Sequence, residues 1–302
     1  SFADDTRLKR GIVEEQDCAT LQLDLEAVYN WADRVNMHFN EAKFEVLRFW
    51  ADRSAAPDIL YMAPDGGPIE EKDCTRDLGV QVGTDLMFSA QVDSAVAAGS
   101  RMAGWVLRTF RHRSRGVMLT LLRCLIQPRL DYCSQLWSPS DQGGINRLEA
   151  VQHSFISRIW DPVLEPLNYW GKLELLRIYS QERRRERYMV CFLWKLSRGL
   201  ISGYNLKWHR SDRRGLYAVP APMARGAPAA VRRARERSLA VKGARIFNLL
   251  PASLRNEEGD FDLFKNHLDI FLSGVPDQPT MPGLVRAAVT NSLLDQLPIF
   301  FN

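Results

Sequence analysis

Cysteine is scarce in this sequence. Cys18, Cys74, Cys124, Cys133 and Cys191 are an odd number and include no CxxC pair. That argues against a disulfide framework or a structural zinc site and for an intracellular, reducing compartment. Histidine is equally thin: His38, His112, His153, His209 and His267 fall in no ligand spacing and read as structural or surface groups. No cysteine has a histidine near it in sequence, so no thiol nucleophile is expected. No apolar run approaches the ~18–20 residues of a membrane-spanning helix, which removes the membrane as a partner. The opening Ser1-Phe2-Ala3-Asp4-Asp5 has no signal-peptide layout. Methionine is absent before Met37, and the expectation from this is that the chain is a piece of something longer. No internal repeat is visible at a period of ~20–50 residues.

What is present is arginine. Of 40 basic residues, 32 are Arg and 8 are Lys, a balance that suits bidentate phosphate contact. The net charge of +4 conceals their distribution. Residues 1–100 carry 9 basic and 19 acidic side chains, residues 101–250 carry 28 and 10, and residues 251–302 carry 3 and 7. An acidic head, a basic middle and an acidic tail suggest a polyanionic partner for the middle block. With 46% hydrophobic, 25% charged and 10% aromatic residues, the 302-residue chain is globular in composition. Its length fits one large or two modest domains.

Residues 1–82 read as mixed α and β. Leu21, Leu25, Val28, Ala32 and Val35 recur on one helical face, predicting a helix from about Thr20 to Asn36. Lys43 to Trp50 is β-rich, Pro57, Pro64 and Gly66-Gly67-Pro68 punctuate the stretch after it, and Arg76 to Val82 reads as a last strand. From Ser89 the pattern is helical. Val92, Val96, Gly99, Ala103, Val106 and Phe110 mark a long helix, and Ser114 is a candidate N-cap for the next. Further helices are expected near Ile145–Trp160 and from Ser180 to a stop at Gly199. Residues 202–235, rich in Arg, Gly, Pro and Ala, read as a linker or basic loop. Ala244–Leu250 and Phe261–Leu272, the latter with Asp260 as N-cap, are candidate helices of a small terminal region. Trp105, Trp137, Trp160, Trp170 and Trp194 are best taken as core anchors.

The adjacent carboxylates Asp4 and Asp5 follow Phe2-Ala3. In a tight hairpin they offer hard oxygen ligands to Mg²⁺, as two-metal phosphoryl transfer requires. A solvated turn at a terminus reads the same way. Downstream lie Leu21-Gln22-Leu23-Asp24-Leu25, Tyr29-Asn30-Trp31-Ala32, Asn36-Met37-His38-Phe39-Asn40-Glu41-Ala42-Lys43 and Leu47-Arg48-Phe49, then Asp77-Leu78-Gly79-Val80. Leu125-Ile126-Gln127-Pro128-Arg129-Leu130-Asp131-Tyr132-Cys133, Leu136-Trp137 and Leu148-Glu149-Ala150-Val151-Gln152 follow. Phe247-Asn248-Leu249-Leu250-Pro251, Phe264-Lys265 and Pro276-Asp277 come near the end.

In that order, these segments resemble the reverse transcriptases of non-LTR (LINE-type) retrotransposons from the FADD catalytic turn onward. The resemblance implies an α+β fold: a partial polymerase palm with a short antiparallel sheet plus helix, then a mainly α-helical thumb and C-terminal region. It divides the chain into a partial palm at 1–82, a thumb-like region at 83–160, a helical extension at 161–201, the basic linker at 202–235 and a small helical region at 236–302. It implies that Asp4 and Asp5 are catalytic metal carboxylates for Mg²⁺. Lys43 is then a candidate general acid near the leaving pyrophosphate, or a solvated lysine opening a strand. Asp77, Leu78 and Gly79 become the turn near the primer terminus, or a simple strand end. The implied partners are RNA and DNA as a template–primer duplex, with nucleotides as the only small-molecule substrate of the intact enzyme, acting in nucleus or cytoplasm.

The family's other metal aspartate, its fingers and its nucleotide pocket lie upstream of the FADD turn, where this sequence starts. The expectation is therefore half a catalytic site, inactive alone. Three basic clusters are the candidate nucleic-acid contacts: Arg101, Arg108, Arg111, Arg113 and Arg115; Arg183, Arg184, Arg185 and Arg187; and Arg232, Arg233, Arg235 and Arg237. Trp105 and Phe110 lie among the first and suit stacking on unpaired bases. Charge runs also form ordinary solvated helix faces, and Glu182 and Glu186 can pair with the arginines around them. A non-enzymatic nucleic-acid-binding protein derived from such an element is the alternative function. A poorly folding remnant is the third.

Overall fold

The computed structural model describes residues 5–49, 59–139, 141–201, 210–211, 216–223, 226–281, 284 and 290–300. The chain divides into two compact units, Ser1–Asp85 and Leu86–Asn302. It is mostly helical, 55%, with small sheets, in keeping with an α+β class. Among the described residues no helix is long and apolar enough to cross a membrane.

The first unit is built on α1 (Glu15–Arg34). Asp17 accepts from the backbone N–H groups of Val13 (2.9 Å) and Glu14 (3.2 Å), closing a capping box made of carboxylates. These two bonds hold the Asp17 carboxyl below its ordinary value. They also start the helix ahead of the expected Thr20, because the cap is acidic rather than a Ser or Thr hydroxyl. The inner face of α1 packs Cys18, Leu21 and Leu25 with Phe44, Tyr61 and Ile69. Gln22 clamps a loop by accepting from Met62 N (2.9 Å) and donating to Met62 O (3.4 Å).

The strands of this unit are short. β1 (Glu45–Val46) pairs in parallel with β2 (Glu70–Glu71), and β3 (Cys74–Asp77) pairs antiparallel with β4 (Val80–Gly83). The stretch Arg76–Val82, expected as one strand, is therefore a hairpin. Leu78 and Gly79 take φ 44° and 84°, the two positive values that a tight two-residue turn requires. Only residues 45–46 of the β-rich stretch from Lys43 are strand, after a 3₁₀ turn, Glu41–Lys43. Trp50 lies outside the described residues.

The second unit opens with α2 (Ser89–Thr109) and α3 (Arg115–Leu121). A π-helical turn, Leu122–Ile126, leads into α4 (Gln127–Asp131), and α5 (Gln142–Ile156) follows. Val92, Ala95, Gly99, Ala103 and Val106 form the buried face of α2. A Cβ at Gly99 would lie 2.8 Å from Leu130 Cδ2 and 3.2 Å from Val151 Cγ1, so glycine sets the close approach of α2 to α4 and α5. The chain continues through α6 (Tyr169–Leu176) to α7 (Gln181–Ser197), the centre of the unit. Ser180 caps α7 by accepting from Arg183 N (3.2 Å), and Gly199 follows its end at φ 68°. Both terminal signals act as the sequence suggests.

The segment expected as a linker carries structure. Strands β5 (Arg210–Ser211) and β6 (Leu216–Tyr217) pair antiparallel, and α8 (Ala229–Arg237) is helical. Residues 202–209, 212–215 and 224–225 lie outside the described residues. Helices α9 (Ala244–Leu249), α10 (Ala252–Arg255), α11 (Phe261–Ser273) and α12 (Leu293–Phe300) complete the unit. Asp260 caps α11 by accepting from Leu263 N (2.7 Å). Val190, Leu193 and Trp194 of α7 form one core with Phe247, Phe264 and Leu293, and Trp194 stacks on Phe264 at 4.8 Å. Each large apolar side chain buried there contributes roughly 1.5–3 kcal/mol.

Candidate nucleic-acid interface

Residues 101–115 make the most accessible basic surface that the sequence singled out. The buried face of α2 points Arg101, Trp105 and Arg108 outward, since spacings of four and three residues place them on one side of the helix. Arg101 and Arg108 are exposed, and Trp105 is 47% exposed with its ring edge-on to Phe110 at 6.2 Å. Arg111 is exposed in the loop that follows. Arg113 is half-buried. It donates to Leu107 O (3.1 Å), and its guanidinium lies 5.4 Å from the centre of the Trp160 ring. Trp160 N in turn donates to Arg113 O (2.8 Å), so the two segments are stitched together. Arg115 pairs with Asp161 at 2.7 Å. A backbone bond from Val163, then Arg115 itself, holds the Asp161 carboxyl below its ordinary value.

The second arginine cluster lies elsewhere than expected. Arg183 is 0% and Arg185 3% exposed, because four arginines in five positions of α7 point to several sides of a helix at the centre of the unit. Arg183 donates to Val275 O (3.2 Å), Pro276 O (3.1 Å), Asn291 O (3.4 Å) and Gln296 Oε1 (2.6 Å). Arg185 donates to Trp137 O (2.9 Å) and Leu130 O, with its guanidinium 4.1 Å from the centre of the Trp137 ring. Burial lowers its pKa to about 10. Arg184 pairs with Asp131 (2.6 Å), and Arg187 grips both oxygens of Asp269 (2.5 and 2.7 Å). The expectation that these four face nucleic acid is corrected by burial and by acceptors within the chain.

Beside them runs a buried acid–amide network. Glu149 accepts from Gln181 N (2.6 Å) and Tyr169 OH. Gln181 Nε2 donates to Gln152 Oε1 (2.7 Å) and Gln152 Nε2 to Tyr179 O (3.0 Å). Burial pushes Glu149 up to about 8 and, with the neighbouring Glu186, Glu182 up to about 7. Glu186 accepts from Ser292 Oγ (2.6 Å) and Leu293 N (2.7 Å) and pairs with Lys242 (3.0 Å). Of the third cluster, Arg233 and Arg235 on α8 are exposed, Arg235 reaching Ala221 O (2.9 Å).

Of the residues expected at a catalytic centre, Asp4 lies outside the described residues, as do Phe2 and Ala3. Asp5 is exposed, and Lys43 is exposed at the end of its 3₁₀ turn. Asp77, Leu78 and Gly79 come together at the hairpin, with Asp77 ion-paired to Arg7. Among the described residues no group of three Asp, Glu, His or Cys side chains is placed to hold a metal ion. Asp5, exposed and alone among the described residues, does not make a Mg²⁺ site.

Two tryptophans also depart from expectation. Trp137 and Trp194 are core residues, whereas Trp105 and Trp160, the latter 65% exposed, are surface residues. Arg158 and Asp161 beside Trp160 were the local sign of a surface position.

Comparison with known proteins gives a coarse match. Over 157 residues the chain is 26% identical to a probable RNA-directed DNA polymerase from transposon X-element of Drosophila melanogaster. The matched stretch is 51% of this chain and 17% of the relative, so the chain spans a minor part of that protein's length. No family model and no solved structure matches. The sequence is thus related to that of a reverse transcriptase, at a distance.

Proposed function

We propose that the chain is part of a retrotransposon RNA-directed DNA polymerase, and that its helical unit holds nucleic acid through the outer face of α2 and the loop after it. The observation that carries this reading is the outward presentation of Arg101 and Arg108 on a helix whose opposite face is buried, with Arg111 exposed in the loop after it. The distant match to a transposon RNA-directed DNA polymerase supports it. Exposed guanidinium groups attract backbone phosphates without reading sequence, as a template–primer duplex requires. In the intact enzyme the resemblance assigns Asp4 and Asp5 to Mg²⁺ and Lys43 and the Asp77-Leu78-Gly79 turn to the reacting end of the primer. By this reading the 302-residue chain carries no polymerase activity of its own.

Filter binding of the purified chain at rising salt tests the interface. Affinity is expected to fall steeply, and reversing Arg101, Arg108 and Arg111 together to Glu should lower the salt slope by at least ~2, at about 0.7–0.9 per phosphate contact. A wild-type slope near zero removes nucleic acid as a partner. Primer extension by the chain, lost on Asp4→Asn, would overturn the inactivity. The alternative of a non-enzymatic binding protein is favoured by one observation: the arginines of the proposed interface all lie within the second unit, apart from the residues assigned to catalysis.

A further inference from the structure

We infer that the edge carrying Trp105 and Trp160 is a stacking platform for unpaired nucleotides, so that this face prefers single strands to duplex. The inference rests on the reading of the same face as a nucleic-acid interface and names the form of nucleic acid it takes. Two large indoles are exposed, Trp105 at 47% and Trp160 at 65%, and each touches a residue of the loop 110–114. Trp105 meets Phe110 at one end, and Trp160 is bonded to Arg113 at the other. Phe110 to Arg113 spans at most ~10 Å, since an extended residue covers about 3.3–3.6 Å.

Both rings are held in place before any ligand arrives. The Arg113 guanidinium lies near the Trp160 ring, and Trp105 packs edge-on to Phe110. Ordering costs on binding are correspondingly small. The surrounding charge suits a polyanion: Arg101, Arg108 and Arg111 are exposed, while the nearby acids Asp161 and Asp93 are paired with Arg115 and Arg147. In a duplex the base faces are covered by their neighbours, and an indole reaches only the backbone. In an unpaired segment every base offers a face, so an aromatic ring gains from any sequence. A surface built only to grip a duplex needs the arginines and not the indoles.

The test is fluorescence anisotropy with the full chain and labelled oligo-dT, oligo-rU and a mixed duplex, each of about 12 nucleotides. Trp105→Ala and Trp160→Ala are compared with the double charge reversal Arg101→Glu/Arg108→Glu. Each indole removed is expected to weaken single-strand binding about 5- to 150-fold, with duplex affinity and salt slope unchanged. Trp160→Tyr should restore most of the loss. The dT and rU arms show whether DNA or RNA is preferred.

Equal losses on single strand and duplex, or no loss on single strands, overturn the stacking platform. If the charge reversal still weakens binding in that case, the nucleic-acid interface stands without it. If the wild-type chain binds none of the probes, both fall. Circular dichroism of the tryptophan variants guards against misfolding. A change in sedimentation caused by Trp160→Ala would make the face a self-association surface, and that also overturns the inference.

Discussion

Arg183→Met separates a structural arginine from a binding one. The substitution keeps an unbranched side chain of similar reach and removes every donor. It leaves Val275 O, Pro276 O, Asn291 O and Gln296 Oε1 without their partner in a position that is 0% exposed. Charge-assisted hydrogen bonds contribute about 1.5–3 kcal/mol each. Removing the guanidinium also removes its own desolvation cost, which offsets part of that sum. Each neutral acceptor left buried without a donor costs about 1–3 kcal/mol, so after that offset the net loss should be about 3–5 kcal/mol. For a unit of this size that lowers Tm by roughly 6–20 °C. Intrinsic tryptophan fluorescence during thermal unfolding is the assay, since six of the eight tryptophans lie in Leu86–Asn302. Arg101→Met is the control, expected within ~0.5 kcal/mol of wild type because its side chain is exposed. An Arg183→Met chain of unchanged stability but weakened nucleic-acid binding would refute the structural role and return Arg183 to the interface.

Three further outcomes are expected. Glu149, pushed up to about 8 by burial, and Glu182, pushed up to about 7, hold protons in the folded state that the unfolded chain releases near the ordinary glutamate value of 4.5. Unfolding free energy should therefore fall as pH rises from about 5 to 8, and Glu149→Gln should flatten much of that slope in urea titrations. Leu78 sits at φ 44° in the hairpin turn, so Leu78→Asn should stabilise the first unit by about 1 kcal/mol, read from protection of β3–β4 amides in hydrogen exchange. Brief proteolysis should cut residues 1–80 before 89–200, because the core of the first unit centres on Cys18, Tyr61 and Ile69 while that of the second gathers around Trp194 and Phe264. Even cleavage across both segments would contradict that contrast.

Much of the helical unit was legible because its signals are local. Ser180 and Gly199 bound α7, Asp260 starts α11, and the small residues of α2 mark its buried face. What stayed hidden depends on partners far along the chain. The Arg183–Arg187 run reads as a solvated basic face, yet its acceptors lie at positions 130–137 and 269–296, which no local pattern reveals. Trp160 reads as core by residue type, and only its position beyond the end of α5 leaves it open. The residue pattern alone reads Arg76–Val82 as one strand, because a leucine at positive φ is an uncommon first turn residue, whereas the resemblance places a turn at Asp77–Gly79. Of the candidate interface, Arg101, Arg108 and Arg111 were found by charge clustering alone, while the surface role of Trp160 required the fold.

A central helix that turns its charges inward binds the end of the chain to its middle. The Arg183 guanidinium takes its acceptors from residues 275–296, Glu186 accepts from Ser292 and Leu293 as well as pairing with Lys242, and Arg185 passes the connection on to Trp137. A nonsense codon shortly before Asn291 would therefore not merely trim a tail. It would strand buried charges more than a hundred residues upstream, so a stop at that position should be as damaging to the helical unit as one near the middle of the unit.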